Sequence, residues 1–368
     1  MLFKKTDDLK VGMRLARPIY NRNGILLYER NSKLTSQGIT SVRNFGLIGI
    51  YILEPSEPVP PMSQDDIEFE RFQTISNFTL RDELKAIQNK KESKKLLDLA
   101  NSIINSYGGL YHKINFTQNL RSQEDYTYKH TLNVAILCAL MSHQLEFTFE
   151  EQLDVVMAAL LHDMHKLSLP SSYADKKFSQ ISEQEEKIKL QKTFLDTQAQ
   201  FQLDVNITPN TRTMINQLHK ELLSDKSKND ETFHRGTRVL QVAEAYDTMT
   251  AMKSYTEPTS EVTAIRSLLN NPKQYDSESV TALVESIYIL APGTCVTLTD
   301  NDRGIVISEN HNDVLRPTVL SFHKNTVYDL SSKSVFNKIQ VLDVMKTLDN
   351  RFVIDEEAIA NFKGNPTD

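Results

Sequence analysis

The chain has 368 residues, a formal net charge of −6 at pH 7, 39% hydrophobic residues and 24% charged ones. That length can supply two or three cores, and the acidic balance leaves no cation excess to neutralise a nucleic-acid polymer. No stretch approaches the ~18 consecutive apolar residues of a membrane span. Met1-Leu2-Phe3-Lys4-Lys5 has no apolar h-region, so neither membrane insertion nor secretion is expected. Cys138 and Cys295 lie far apart in apolar surroundings and are expected to be buried free thiols, as in a reducing cytoplasm.

Residues 1–54 read as a small β-rich module. Arg14 to Tyr20 and Ile25 to Tyr28 have strand character, and Asn23-Gly24 between them is a hairpin signal because both residues tolerate positive φ. Thr35 to Asn44 reads as a helix and Ile48 to Leu53 as a strand. Glu54-Pro55-Ser56-Glu57-Pro58-Val59-Pro60-Pro61 cannot pair into a sheet, so residues 55–66 are expected to form a semi-rigid linker. Connecting helices are expected over residues 67–118, and a helical domain over 119–290.

Three stretches of that domain carry chemistry. His130 lies on the apolar face marked by Val134, Leu137, Cys138 and Met141, which recur at helical steps. A second helix, Glu150 to Leu161, runs into His162-Asp163-Met164-His165-Lys166. A third, Arg238 to Met252, carries Glu244 and Asp247. A neutral imidazole and an ionised carboxylate can hold a divalent cation together, and a nearby ammonium can hold a phosphate oxygen. Asp163 reads equally as a helix-end carboxylate paired with Lys166, and the two roles are compatible. Glu244, on an otherwise apolar face, requires a metal or a cation beside it. Asp247 reads as a local cap or pair. His165 reads as a surface residue, as do His112, His143, His234, His311 and His323, and Glu183 to Lys192 as a solvated helix face. After Ala291-Pro292-Gly293 the pattern turns to alternation, with strands expected at Cys295–Leu298, Ile305–Ile307, Thr318–Phe322 and Ile339–Leu342. Residues 291–350 thus read as a small β domain and 351–368 as a tail.

The segments Tyr126 to Ala135, Ala158 to Pro170 and Arg238 to Tyr255 resemble, in order and at suitable spacing, three motif blocks of HD-GYP domains. The likeness covers roughly residues 120 to 290. It implies a mainly α fold, a helical HD-GYP-like bundle between the two β modules. It also implies kinship with cyclic-di-GMP phosphodiesterases, whose helices enclose two or three metals, commonly iron or manganese. His130, His162 and Asp163 match family ligands, and Glu244 stands for an aspartate ligand. Gln191 occupies the place of a histidine, and His219-Lys220 that of a histidine pair. A protonated lysine has no lone pair to offer a metal. The Gly-Tyr-Pro loop is absent, and Leu222 to Glu231 is a short polar run in its place.

The resemblance therefore implies one divalent metal, iron or manganese, or none. His130, His162, Asp163 and Glu244 would hold it, with His219 the surviving donor of a second position. Lys220 is expected to lie where the second cation would be, paired with Asp163 or Glu244. Asp163 and Lys166 are the expected catalytic residues. Lys166 and Lys253 match phosphate-facing family positions, and Arg235 and Arg238 join them because they flank the third helix. The leading expectation is a cytoplasmic signalling protein whose degenerate site binds a nucleotide or a protein partner. The alternatives are a working single-metal phosphodiesterase for cyclic-di-GMP or a related phosphoester, and a scaffold for homodimerisation.

Overall fold

A computed structural model describes residues 2–20, 25–45, 47–53, 63–93, 95–176, 178–202, 204, 206–222, 233–253 and 256–344. The fold is a helical bundle between two small β modules, as the sequence pattern implies. In the first module, β1 (Leu2–Lys5), β5 (Gly49–Leu53) and β2 (Arg14–Leu15) form an antiparallel sheet in the order β1-β5-β2. β3 (Ile19–Tyr20) pairs antiparallel with β4 (Leu26–Tyr28), while the Asn23-Gly24 turn lies outside the described residues. The expected strand from Arg14 to Tyr20 is thus two strands, because Pro18 between them cannot donate to a ladder. α1 (Ser36–Asn44), capped by the Thr35 side chain on Gly38 N, packs Ile39 and Val42 into a core of their own with Leu15, Ile50 and Ile52.

The bundle comprises α2 (Gln64–Gln88), α3 (Leu96–Tyr107), α4 (Tyr126–Gln144), α5 (Phe149–Leu161), α6 (Gln184–Phe201), α7 (Pro209–Leu218), α8 (Arg235–Thr250), α9 (Glu261–Leu269) and α10 (Ser277–Ser286). Reciprocal side-chain–backbone bonds between Ser63 and Asp66 start α2, and between Thr148 and Glu151 start α5. Thr208 caps α7, with Pro209 at the first turn, where a missing N–H costs nothing. α4 is the central helix. The sequence suggests one buried face, yet sixteen of its nineteen residues are buried, because other helices surround it, as expected of a helix apolar on most sides. Gly236 lets α8 approach: a Cβ there would lie 2.4 Å from Met214 Sδ and 2.5 Å from Val155 Cγ2.

The second module orders its strands β10-β6-β7-β8-β9, all antiparallel: β6 (Cys295–Leu298), β7 (Arg303–Ser308), β8 (Thr318–Ser321), β9 (Val327–Asp329) and β10 (Val341–Val344), with the short α11 (Lys333–Phe336) before β10. Val296, Leu298, Val306 and Val319 join the helical core, so this sheet caps the bundle. Both cysteines are free; Cys138 is buried, but Cys295 is half-buried rather than fully enclosed. The proline-rich run and the tail lie outside the described residues. No helix among the described residues is long and apolar enough to cross a membrane.

Candidate metal centre

The site forms where the end of α5 meets α4, α7 and α8. At Leu161 the α-helix gives way to a 3-10 turn, Met164–Ser168. With three residues per turn, side chains at i and i+3 eclipse. Asp163 and Lys166 therefore meet, Nζ to Oδ2 at 2.6 Å, and His165 folds inward instead of reaching solvent. His162, Asp163 and His165 are each 1% exposed and His130 2%. The reading of His165 as a surface residue fails for this reason.

The ring nitrogens can be assigned from their partners. His130 Nδ1 lies 2.6 Å from Asp247 Oδ2, and His162 Nδ1 lies 2.7 Å from the carbonyl oxygen of Ala159. Neither partner can donate, so both Nδ1 atoms carry the proton and both Nε2 atoms present lone pairs. Those two Nε2 atoms face each other at 3.3 Å. His165 repeats the pattern: Nδ1 faces His162 O at 3.2 Å, and its buried Nε2 has no partner. His219, which ends α7, leaves its Nε2 unpartnered 3.5 Å from Asp163 Oδ1, itself unpartnered.

Among the described residues two donor groups result, sharing Asp163: His130, His162 and Asp163, and Asp163, His165 and His219, with the donor atoms of each group within 4.8 Å of one another. Bonds of about 2.0–2.2 Å to a divalent ion place its ligand atoms roughly 3–4 Å apart; His130 Nε2 lies 3.3 Å from His162 Nε2 and 3.8 Å from Asp163 Oδ2, and His219 Nε2 lies 3.5 Å from Asp163 Oδ1, all in that range. An orphaned buried acceptor is costly unless a cation satisfies it, and lone pairs facing one another need one. The donor set suits a divalent metal.

Electrostatics keep these groups in the ligating state. Burial pushes the His162 imidazole down, only partly opposed by Asp163. Burial likewise pushes His165 down to about 3, and it holds His219 well below the usual range, with His165 adding to the effect. All three are neutral at pH 7. Burial alone would raise the Asp163 carboxyl, but the Lys166 ammonium beside it opposes this, and the carboxyl is held well below its usual range.

Behind His130 stands a second carboxylate. Asp247 is fully buried and accepts from Arg121 Nη2 at 2.7 and 2.8 Å, from Gln118 Nε2 at 3.0 Å and from Asn133 Nδ2 at 3.0 Å, besides meeting His130. Burial would raise its carboxyl; Arg121 first, then His130, hold it well below the usual range. The first β module helps fix Arg121, since Ile48 N donates to its carbonyl at 2.7 Å. The Arg121 guanidinium sits 4.9 Å over the Tyr126 ring, which stacks 6.0 Å from the His130 ring. A carboxylate on the far nitrogen of a ligating imidazole fixes its tautomer and raises its basicity.

Other expected residues fall elsewhere. Glu244 belongs to neither donor group; it is half-buried and accepts from Thr248 Oγ1 at 2.9 Å. Asp247, one helical turn on, faces the site in its stead. Lys220 does not pair with Asp163 or Glu244. Its Nζ lies 5.3 Å over the Phe233 ring, and the ammonium against Asp163 is that of Lys166. Arg235 binds the Leu145 carbonyl and lies 4.4 Å over the Phe147 ring, and Arg238 pairs with Asp276 at 3.3 Å, so neither is held ready for a phosphate. Gln191 is half-buried on α6, which meets the second donor group with Phe194, its ring 5.2 Å from that of His165. Lys253 is half-buried just beyond α8. The motif pair pointed to His162 and Asp163. Arg121, Gln118 and Asn133 carry no such signal, although Asp247 could be found on the buried stripe of Leu240, Ala243 and Thr250.

A buried histidine–aspartate centre between helices, built on contiguous His162-Asp163, defines an HD domain, and residues 116–279 match the HD domain family. The matched stretch lies in the helical part of the chain that resembles HD-GYP domains. It is 23% identical over 207 residues to cyclic di-GMP phosphodiesterase PA4108 of Pseudomonas aeruginosa, a match covering 55% of this chain and 49% of the relative. The match thus spans about half the length of that relative. Among solved structures, Bd1817, an HDG"Y"P protein from Bdellovibrio bacteriovorus, overlays at a TM-score of 0.41 with 11% identity, covering 77% of this chain and 97% of its own.

Proposed function

We propose that the protein is a metal-dependent phosphodiesterase of the cytoplasm, acting on a cyclic dinucleotide or a related phosphodiester. The observation that carries this reading is the set of buried, unpartnered donors. Among the described residues, Nε2 of His165, Nε2 of His219 and Oδ1 of Asp163 have no hydrogen-bond partner, and the two Nε2 lone pairs of His130 and His162 confront each other. A site without a ligand would bear that cost for nothing. His130, His162 and Asp163 would hold one divalent ion, iron or manganese. When bound, it supplies Lewis-acid polarisation of a phosphoryl oxygen and a water made acidic enough to attack at neutral pH.

The chain's own residues do the rest. Asp247 fixes the His130 tautomer and presses its Nε2 toward the centre. Lys166 spends one of its three N–H donors on Asp163 and is 17% exposed, leaving the other two for phosphate oxygens. Neutral imidazoles at His162, His165 and His219 keep lone pairs available without competing protons.

A second reading, binding without turnover, is favoured by the engagement of Arg235 and Arg238 elsewhere, which leaves few cations to position a phosphodiester. Metal content of protein purified without chelator, followed by cyclic-di-GMP hydrolysis with added Mn²⁺ or Fe²⁺, separates the two. Turnover that disappears in Asp163→Ala supports the enzyme. Bound metal and nucleotide-dependent thermal stabilisation with no turnover support the sensor. Absence of both metal and nucleotide binding would overturn either.

A further inference from the structure

An ion held by His130, His162 and Asp163 leaves three acceptor atoms of the centre over. Lys166 occupies Oδ2 of Asp163 at 2.6 Å, while Oδ1 has no hydrogen-bond partner among the described residues. Nε2 of His165 and Nε2 of His219 are buried and unpartnered in the same sense. The His165 proton sits on Nδ1, which faces the His162 carbonyl oxygen at 3.2 Å, so Nε2 is the ring atom with a lone pair to give.

One water cannot satisfy this trio, because it has two O–H donors for three acceptors. A divalent cation meets all three. Two imidazole nitrogens and a carboxylate oxygen make the mixed set that first-row transition ions take, whereas Mg²⁺ and Ca²⁺ take oxygen ligands. The spacing agrees: His219 Nε2 lies 3.5 Å from Asp163 Oδ1, and the donor atoms of the trio lie within 4.8 Å of one another. Phe194 walls this group, its ring 5.2 Å from that of His165 and 5.6 Å from that of His219. Apolar packing on Phe194 explains the burial of residue 165 but gives no reason for an imidazole there.

We propose that Asp163, His165 and His219 form a second transition-metal position beside the first, completed by His165. The motif resemblance leaves His219 alone as a good donor there, since Gln191 and Lys220 stand where imidazoles are expected. The 3-10 turn at Met164–Ser168 brings in a replacement from a different place in the chain. Asp163 serves both positions: Oδ2 lies 3.8 Å from His130 Nε2, and Oδ1 lies on the His219 side. Two ions sharing a carboxylate can hold both reacting oxygens of a phosphodiester. That use rests on the phosphodiesterase reading, whereas the position itself does not.

Titration of the metal-free full chain with Mn²⁺ up to millimolar concentration tests this, with free ion counted from the paramagnetic resonance of hydrated Mn²⁺. The wild type is expected to bind two ions, and His165→Leu, His219→Leu and His130→Ala one each. Mg²⁺ at the same concentration should not displace the ion that His165→Leu loses. Metal-free His165→Leu should melt at or above the wild-type temperature, because an apolar side chain removes an orphaned acceptor; a lost ion then reports a lost ligand and not a lost fold. An ion lost in His165→Leu but kept in His130→Ala supports the second position even if the first fails. Equal Mn²⁺ counts in the wild type, His165→Leu and His219→Leu overturn the proposal. If His130→Ala has meanwhile lost an ion, the single-ion phosphodiesterase reading still stands.

Discussion

Asp163 and Asp247 flank the same imidazole, are 1% and 0% exposed, and meet burial in opposite ways. Every demand of Asp247 is met inside the protein: a two-oxygen contact with Arg121, two side-chain amides and His130. Asp163 has Lys166 on one oxygen and nothing on the other, which faces imidazole lone pairs. The comparison teaches how a centre of this kind is built. On the proposed reading, one carboxylate is closed off to orient a ligand, and the other is left open to be one.

The largest expected effect comes from removing the open carboxylate. Asp163→Ala should bring metal content, measured by elemental analysis, down to background, since both donor groups share that residue. The metal-free protein should melt close to the wild type, because Lys166 can rehydrate. Wild-type metal content in this variant would mean that Asp163 is not a ligand.

Next in size is an attack on the closed carboxylate. Arg121→Met leaves Asp247 charged and uncompensated in a fully buried site, and breaking such a pair from one side costs about 3–5 kcal/mol. Urea unfolding of the metal-free protein reads this directly. The double variant Arg121→Met with Asp247→Leu should recover much of the loss. A single-variant loss below about 1 kcal/mol would contradict the closed-off reading.

A smaller effect sharpens the contrast. Lys166→Met leaves Asp163 with both oxygens unpartnered, which should destabilise the metal-free protein by about 1–3 kcal/mol. Saturating Mn²⁺ should restore most of it by binding the folded form alone. Unfolding curves in chelator and in Mn²⁺ that shift equally would show that Asp163 does not face the ion.

How far this arrangement can be read from the sequence depends on chain distance. His162-Asp163 is legible because the pair is contiguous at the end of an amphipathic helix, and His130 because apolar residues repeat around it. His165 is lost because a surface assignment assumes solvent beyond the helix end, whereas the 3-10 turn at Met164–Ser168 rolls it inward. The choice of Glu244 over Asp247 follows motif position; three-to-four-residue spacing from Leu240 and Ala243 puts Asp247 on the buried stripe. Its pairing with Arg121 spans 126 residues, and no local pattern encodes it. Lys220 stands at a ligand position of the resembled motif, but α7 ends at Leu218 and the ammonium lies over the Phe233 ring.

A third carboxylate marks the limit of the comparison. Glu70, half-buried beside a cavity at the seam between the first β module and α2, has neither a closed network nor an ion to serve. Burial dominates there, pushing its carboxyl up from 4.5 to about 7 against the pull of Arg17 and Arg30. A raised folded value means the native state holds this proton more tightly than the unfolded chain does. Its contribution to stability is fully present below pH 4.5 and is lost as pH rises through 7. Glu70→Gln, which cannot ionise, should therefore gain on the wild type progressively between those limits and hold a constant advantage above them. Urea midpoints measured from pH 4 to 8 check this. A difference between the two proteins that does not change with pH would show that Glu70 ionises as freely in the fold as in water, and that the seam does not burden its charge.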